Sequence, residues 1–173
     1  MRRSGIFILL AILLIVHPAK AQAPTAQHHH PQGMVIDGAV NPELIPDSTA
    51  YRLWFVTVSR PANATEGETK HQAAQLGKIG LNSADLSALI PVLGAFNSQY
   101  RGLFQSYNEE ATAAWKRGES PDVASLRIQR DQIVQSIRDT LRSRLSADGY
   151  ARLDAYVKAE KKTMRISEKE DQQ

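Results

Sequence analysis

Between Leu86 and Trp115 the apolar residues return with a helical period. Leu86, Leu89, Ile90, Leu93, Phe96, Tyr100, Leu103, Phe104, Tyr107, Ala111 and Trp115 fall on one stripe of a single long helix. A stripe of that length cannot bury itself, so the chain needs at least one more long helix laid against it. That partner is present. Gly118 marks the stop, and Ser120-Pro121-Asp122 offers an N-cap, a proline at the first helical position and an acid in the first turn. Val123, Leu126, Ile133, Val134, Ile137, Leu141 and Leu145 then repeat the period. With so short a link the two helices must run antiparallel. Pro91 lies inside the first, removing the hydrogen bond to the Ser87 carbonyl, so the helix kinks there or breaks with Pro91 opening a second one. Gly94 and Gly102 weaken the same helix or admit a neighbouring backbone.

Two similar segments bracket this hairpin, Leu81-Asn82-Ser83-Ala84-Asp85 and Leu145-Ser146-Ala147-Asp148-Gly149. Each puts a capping residue, Asn82 or Ser146, immediately before a helix. In the first copy Asp85 is placed to reach back to the cap; in the second Gly149 stands at that position and has no side chain to do so. The last helix then carries Tyr150, Leu153, Val157 and Met164 on one face, with Asp154 and Lys158 spaced as an i,i+4 ion pair.

The segments resemble the Leu-Thr-x-x-Gln motif that occurs twice in the Spy and CpxP family of exported helical chaperones and envelope-stress proteins. In that family each motif starts a helix and a long hairpin lies between the copies. Here Asn82 and Ser146 stand for Thr, while Asp85 and Gly149 stand for Gln, and the likeness covers roughly half of the chain. It implies an exported helical protein that acts on other proteins. The stretch from Ile36-Asp37-Gly38 to Pro46-Asp47, together with the C-terminal run after Leu145, instead looks like small exported bacterial proteins of unknown function.

Upstream, Arg2 and Arg3, an apolar run from Gly5 to Val16, and Ala19-Lys20-Ala21 have the order of a cleavable signal peptide, residues 1–21. The apolar run is too short to span a bilayer, so periplasmic or secreted localisation is expected, without a transmembrane anchor. Of 21 basic residues, three lie in that segment, leaving 18 against 18 acidic, so no basic face speaks for nucleic acid. There is no cysteine, hence no disulfide and no lipid-anchored thiol.

Residues 22–33 form a polar arm with Pro24, Pro31 and His28-His29-His30. It reads as a disordered His-rich linker, with weak metal binding by the three histidines as the alternative. Asp37-Gly38 and Asn41-Pro42 mark turns in an ordered lead-in rather than a strand. A helix beginning at Asp47 places Tyr51, Trp54, Phe55 and Val58 on one face; the β-branched content of Phe55-Val56-Thr57-Val58 leaves a strand as the alternative. Ser59 to Glu68 is a loop containing the tripeptide Asn63-Ala64-Thr65, which fits a glycosylation sequon. Thr69 to Ile79 is a short helix stopped by Gly80, on which His71 is a lone surface histidine. Residues 167–173 form a charged, disordered tail.

The expected fold is all-α: an antiparallel helical hairpin or array with a kinked long helix, after a short irregular N-terminal arm, filling 34–166. No catalytic motif is present. Glu109 and Glu110 are adjacent and so do not face one another, and neither phosphate loops nor nucleophile signatures occur, so no enzyme and no cofactor are expected. Two functional readings remain, a chaperone-like interaction protein and a structural component with one fixed partner. Both use the aromatic face Phe96, Tyr100, Phe104 and Tyr107 to bind a client, a partner or a second copy, since the hairpin partner supplies only enough apolar surface for one seam; the alternative is that the helix of Trp54 and Phe55 covers this face within the same chain. Arg127, Arg138 and Arg142 border that seam, either as a solvated edge or as an anion site.

Overall fold

The computed structural model describes residues 35–167. The expected signal peptide, the His-rich arm with His28, His29 and His30, and residues 168–173 lie outside them. The described chain is built from five helices: α1 (Asp47–Val58), α2 (Glu66–Gly77), α3 (Ser83–Lys116), α4 (Val123–Arg144) and α5 (Ala147–Glu160). Two three-residue strands, β1 (Val35–Asp37) and β2 (Arg165–Ser167), pair antiparallel, with Val35 opposite Ser167 and Ile36 opposite Ile166. No described helix is long and apolar enough to cross a membrane.

The all-α expectation holds for everything except this small sheet. The lead-in at Val35–Asp37, read as irregular, is a strand, and Ser167, read as the start of a frayed tail, pairs with it. Neither segment shows alternation, because three residues are too few to display a period of two; only the closing of the chain brings them together. For the same reason Met164 is not on the last helix. α5 ends at Glu160, a single 3-10 turn (Lys161–Thr163) follows, and the Met164 carbonyl accepts the Gly38 N–H at 2.9 Å. A Cβ at Gly38 would sit on the Lys161 carbonyl oxygen, so this crossing of the two ends requires glycine.

The core gathers α1 against α3, α4 and α5. Tyr51, Phe55 and Val58 from α1 meet Leu89, Leu93 and Phe96 from α3, Val134, Ile137 and Leu141 from α4, and Leu153 and Val157 from α5. The helical reading of 47–58 is therefore the right one, and its aromatic stripe is the centre of the core. α2 begins three residues earlier than the apolar pattern indicates, because Thr65 and Glu68 form a capping box: the Glu68 N–H donates to Thr65 Oγ1, and the Thr65 N–H donates to Glu68 Oε2. His71 is exposed on it. Gln72 and Arg60 side chains donate to the Val58, Thr57 and Ser59 carbonyls, satisfying the C-terminal end of α1.

α3 is one continuous helix of 34 residues with Pro91 inside it, not two helices. Pro91 and Ser87 are both exposed, so the carbonyl that loses its donor is open to water and the cost is small enough for packing to carry. Gly80 and Gly118 take positive φ, 71° and 76°, and stop α2 and α3 as their positions suggest. Ser120 is not a cap: α4 starts at Val123, and Asp122 accepts the Ser125 N–H at 2.9 Å. Aspartate caps as well as serine, so both residues are competent, and the later one is used.

Candidate functional site

Asn82 and Ser146 both cap helices as their spacing implies. Asn82 Oδ1 accepts the Asp85 N–H at 2.8 Å, and Ser146 Oγ accepts the Gly149 N–H at 3.0 Å. The Asp85 side chain does something the sequence does not announce. Its carboxylate leaves its own helix and crosses to the other cap, where the Ser146 backbone N–H donates to Oδ1 at 2.7 Å and the Ser146 hydroxyl to Oδ2 at 2.7 Å. The Asn82 amide donates to Oδ2 at 2.8 Å. Asp85 thus supplies, from α3, the half of the capping box that Gly149 cannot supply on α5. Gly149 is bare because the carboxylate occupies its space: a Cβ there would lie 2.3 Å from Asp85 Oδ2. The two bracketing segments are one clasp, joining the starts of α3 and α5.

Asp85 is buried, at 4% exposure, yet it is well served. The Ser146 N–H and then its hydroxyl favour the charged carboxylate more than lost solvation opposes it, the Asn82 amide adds to this, and its pKa falls below the usual 3.8. Leu145, just before the second cap, is in the core, and Leu81, just before the first, packs against it. The clasp is a structural joint. The Ser146 hydroxyl and the Asp85 carboxylate bond one another and the helix-start N–H groups.

The four aromatic candidates are strung along α3 in different environments. Phe96 is core, 1% exposed, with its ring 5.0 Å from that of Phe55. Tyr100 stacks on Phe96 at 4.9 Å and is half-buried, Phe104 leans on Tyr100 at 4.9 Å, and Tyr107 is half-buried farther out. The expected binding face is therefore not a single surface: Phe96 belongs to the α1 packing, and the ladder leaves the core from Tyr100 onward.

Beyond Tyr100 on α3 and before Ile133 on α4, no side chain belongs to the core cluster. The two helices continue as an arm, over about 24 Å of α3 and about 15 Å of α4 at 1.5 Å per residue. Its seam is thin, with Ala111 and Ala114 buried on α3 and Arg130 on α4, the latter paired with Asp131 at 2.9 Å. Trp115 departs from the stripe the period assigns it and is 67% exposed; Ile128, which no pattern singles out, is 60% exposed. Val123 and Ile90, placed on apolar stripes by spacing, are also exposed. Phe104 edges a shallow groove with Arg101, Asn108 and Thr112 along the flank of α3. The signal for Trp115 was its place about 100° around the axis from Ala114, which is buried in the seam one residue earlier.

A second polar network lies where α1 meets α5. The Tyr51 hydroxyl donates to Asp154 at 2.9 Å, Asp154 pairs with Lys158 at 2.7 Å as the i,i+4 spacing predicts, and Asp47 pairs with Lys161 at 2.6 Å. Burial, with the Asp154 hydrogen bond second, pushes the Tyr51 phenol far above its ordinary range. Asp154 is the reverse case: partial burial raises it, but hydrogen bonds from Lys158 and Tyr51 and the charge of Arg138 bring it below the ordinary value. Among the described residues no cluster of His, Cys, Asp or Glu is arranged to hold a metal ion.

No protein-family model, no curated protein and no solved structure matches the chain.

Proposed function

We propose that this is an exported, non-enzymatic protein that binds other polypeptides through the α3–α4 arm, in the manner of an ATP-independent chaperone. The observation that carries the reading is the arm: a two-helix extension outside the core that keeps Trp115 and Ile128 in water and Phe104 and Tyr107 only half-covered. Large apolar groups gathered at one end of a thin element bind weakly to many apolar segments, because burial is non-directional. The charged-and-apolar order of residues 1–21 and the resemblance of the two capped segments to the Spy and CpxP family support the same reading.

The test is suppression of aggregation. Wild-type protein is expected to keep several unrelated, chemically unfolded clients in solution without nucleotide, and a Phe104→Ser, Trp115→Ser variant to lose this with its fold intact. Protection of no client, or equal protection by the variant, removes the proposal. Tight binding to a single partner with no general protection would instead establish a structural component with one fixed partner.

A further inference from the structure

Arg138 and Arg142 stand one turn apart on α4, and each lays its guanidinium over a tyrosine. Arg138 lies 4.3 Å from the ring centroid of Tyr51 on α1, and Arg142 lies 5.2 Å from that of Tyr150 in the first turn of α5. Stacking of this kind fixes the guanidinium plane without using up its hydrogen-bond donors. Like charges four residues apart on a helix repel, and helices ordinarily place a carboxylate between or opposite them.

Here the donors are left over. None of the ion pairs among the described residues involves either arginine. Arg138 Nε is buried with no hydrogen-bond partner, and Arg142 reaches only the Tyr150 hydroxyl, at 3.5 Å. The carboxylates nearby are engaged elsewhere: Asp154 with Tyr51 and Lys158, Asp47 with Lys161, and Asp139, on α4 itself, with the Gln135 amide at 3.1 Å. Of these, Asp154 lies within reach of the Arg138 charge, but its ion pair is with Lys158 at 2.7 Å. Neither guanidinium has a carboxylate at ion-pair distance among the described residues, and both are held in place by aromatic rings. Arg142 is exposed and Arg138 half-buried.

We propose that Arg138 and Arg142, with the Tyr150 hydroxyl beside them, form a binding site for a phosphate-type oxyanion. A tetrahedral oxyanion offers enough acceptor oxygens for two guanidinium groups and a phenol, whereas a carboxylate offers only two. The ligand is a soluble phosphate compound or the phosphate of a lipid headgroup, since both present the same oxygens. The site lies on α4 and α5 near the core and makes no use of the aromatic arm, so it stands independently of the chaperone reading.

Calorimetric titration of the purified protein with inorganic phosphate, at low and constant ionic strength, tests it. Saturable single-site binding is expected, weakened about tenfold or more in Arg142→Gln, the loss of a charge-assisted hydrogen bond, and unchanged in Arg144→Gln, an exposed arginine on the same helix that stacks on no tyrosine. Acetate should bind more weakly than phosphate. Thermal unfolding of Arg142→Gln checks that the fold is retained, and Arg138→Gln adds a second loss of binding if it also folds. No saturable heat, equal weakening in Arg144→Gln, or tighter binding of acetate would overturn the site. Sedimentation with phosphatidylglycerol-containing vesicles then separates the sources: retention that depends on Arg142 identifies a lipid headgroup, and phosphate binding without retention identifies a soluble ligand.

Discussion

Replacing Gly149 by alanine tests the clasp between α3 and α5 most directly, because the sign of the effect depends on it. At an unencumbered position inside a helix the change from glycine to alanine stabilises by about 1 kcal/mol, through the lower entropy of the unfolded chain. At Gly149 the new methyl would lie 2.3 Å from Asp85 Oδ2 and 2.6 Å from its Cγ, about 1 Å inside van der Waals contact. Asp85 cannot simply turn aside, since Ser146 N, Ser146 Oγ and Asn82 Nδ2 hold it at 2.7, 2.7 and 2.8 Å. Overpacking at a fixed site costs about 1–3 kcal/mol. The net expectation is a loss of up to about 2 kcal/mol, which lowers a urea midpoint by up to roughly 1 M for a domain of this size. In an Asp85→Ala background the obstruction is gone, and the same substitution should raise the midpoint. The two backgrounds together form a double-mutant cycle with a coupling of about 1–3 kcal/mol, the overpacking cost itself. A Gly149→Ala variant more stable than wild type, or an equal shift in both backgrounds at unchanged cooperativity, would show that Asp85 does not occupy the space beside α5.

Four further outcomes are expected. Ser146→Ala should cost about 1 kcal/mol in urea unfolding, because the Gly149 N–H loses its acceptor, whereas Ser120→Ala should change little, since Asp122 is the cap of α4. Phe96→Ala should cost about 3–5 kcal/mol, but Trp115→Ser should leave the unfolding midpoint nearly unchanged, separating core from arm. Tyr51→Phe should cost about 1–2 kcal/mol, since the hydroxyl it loses donates to a carboxylate. Stability should depend on pH at both ends. Asp85 and Asp154 titrate below the usual 3.8 in the folded protein, so their contribution is complete above that pH and is lost as pH falls through the folded values. Lys158 is raised above 10.5 by its Asp154 hydrogen bond, so its contribution is complete below that pH and is lost as pH rises through the folded value. Urea midpoints measured from pH 2 to 7 in wild type and Asp85→Asn should differ in slope below pH 4; parallel curves would rule out the acid-side assignment.

Helix positions and most helix starts could be read from the chain alone, because they depend on residues within one or two turns. The period of Leu86 to Trp115, the glycine stops at Gly80 and Gly118, the caps at Asn82 and Ser146, and the Asp154–Lys158 pair are all local, and the fold contains each of them. Where two local solutions competed, as between Ser120 and Asp122 or between a kinked and a broken helix at Pro91, the surroundings chose. Tertiary structure alone decided what each side chain faces. The same stripe that buries Phe96 under Phe55 leaves Phe104 and Tyr107 only half-buried, because helical periodicity gives a direction around the axis and says nothing of where along it the neighbouring helices end. Likewise Asp85 stands at the right place to close its own cap, and only the packing of α5 beside α3 turns it to Ser146 and makes a side chain at Gly149 impossible. Val35–Asp37 and Arg165–Ser167 have too few residues to show a pattern, and they become strands because hydrogen bonds between chain ends can form only after the helices between them have packed.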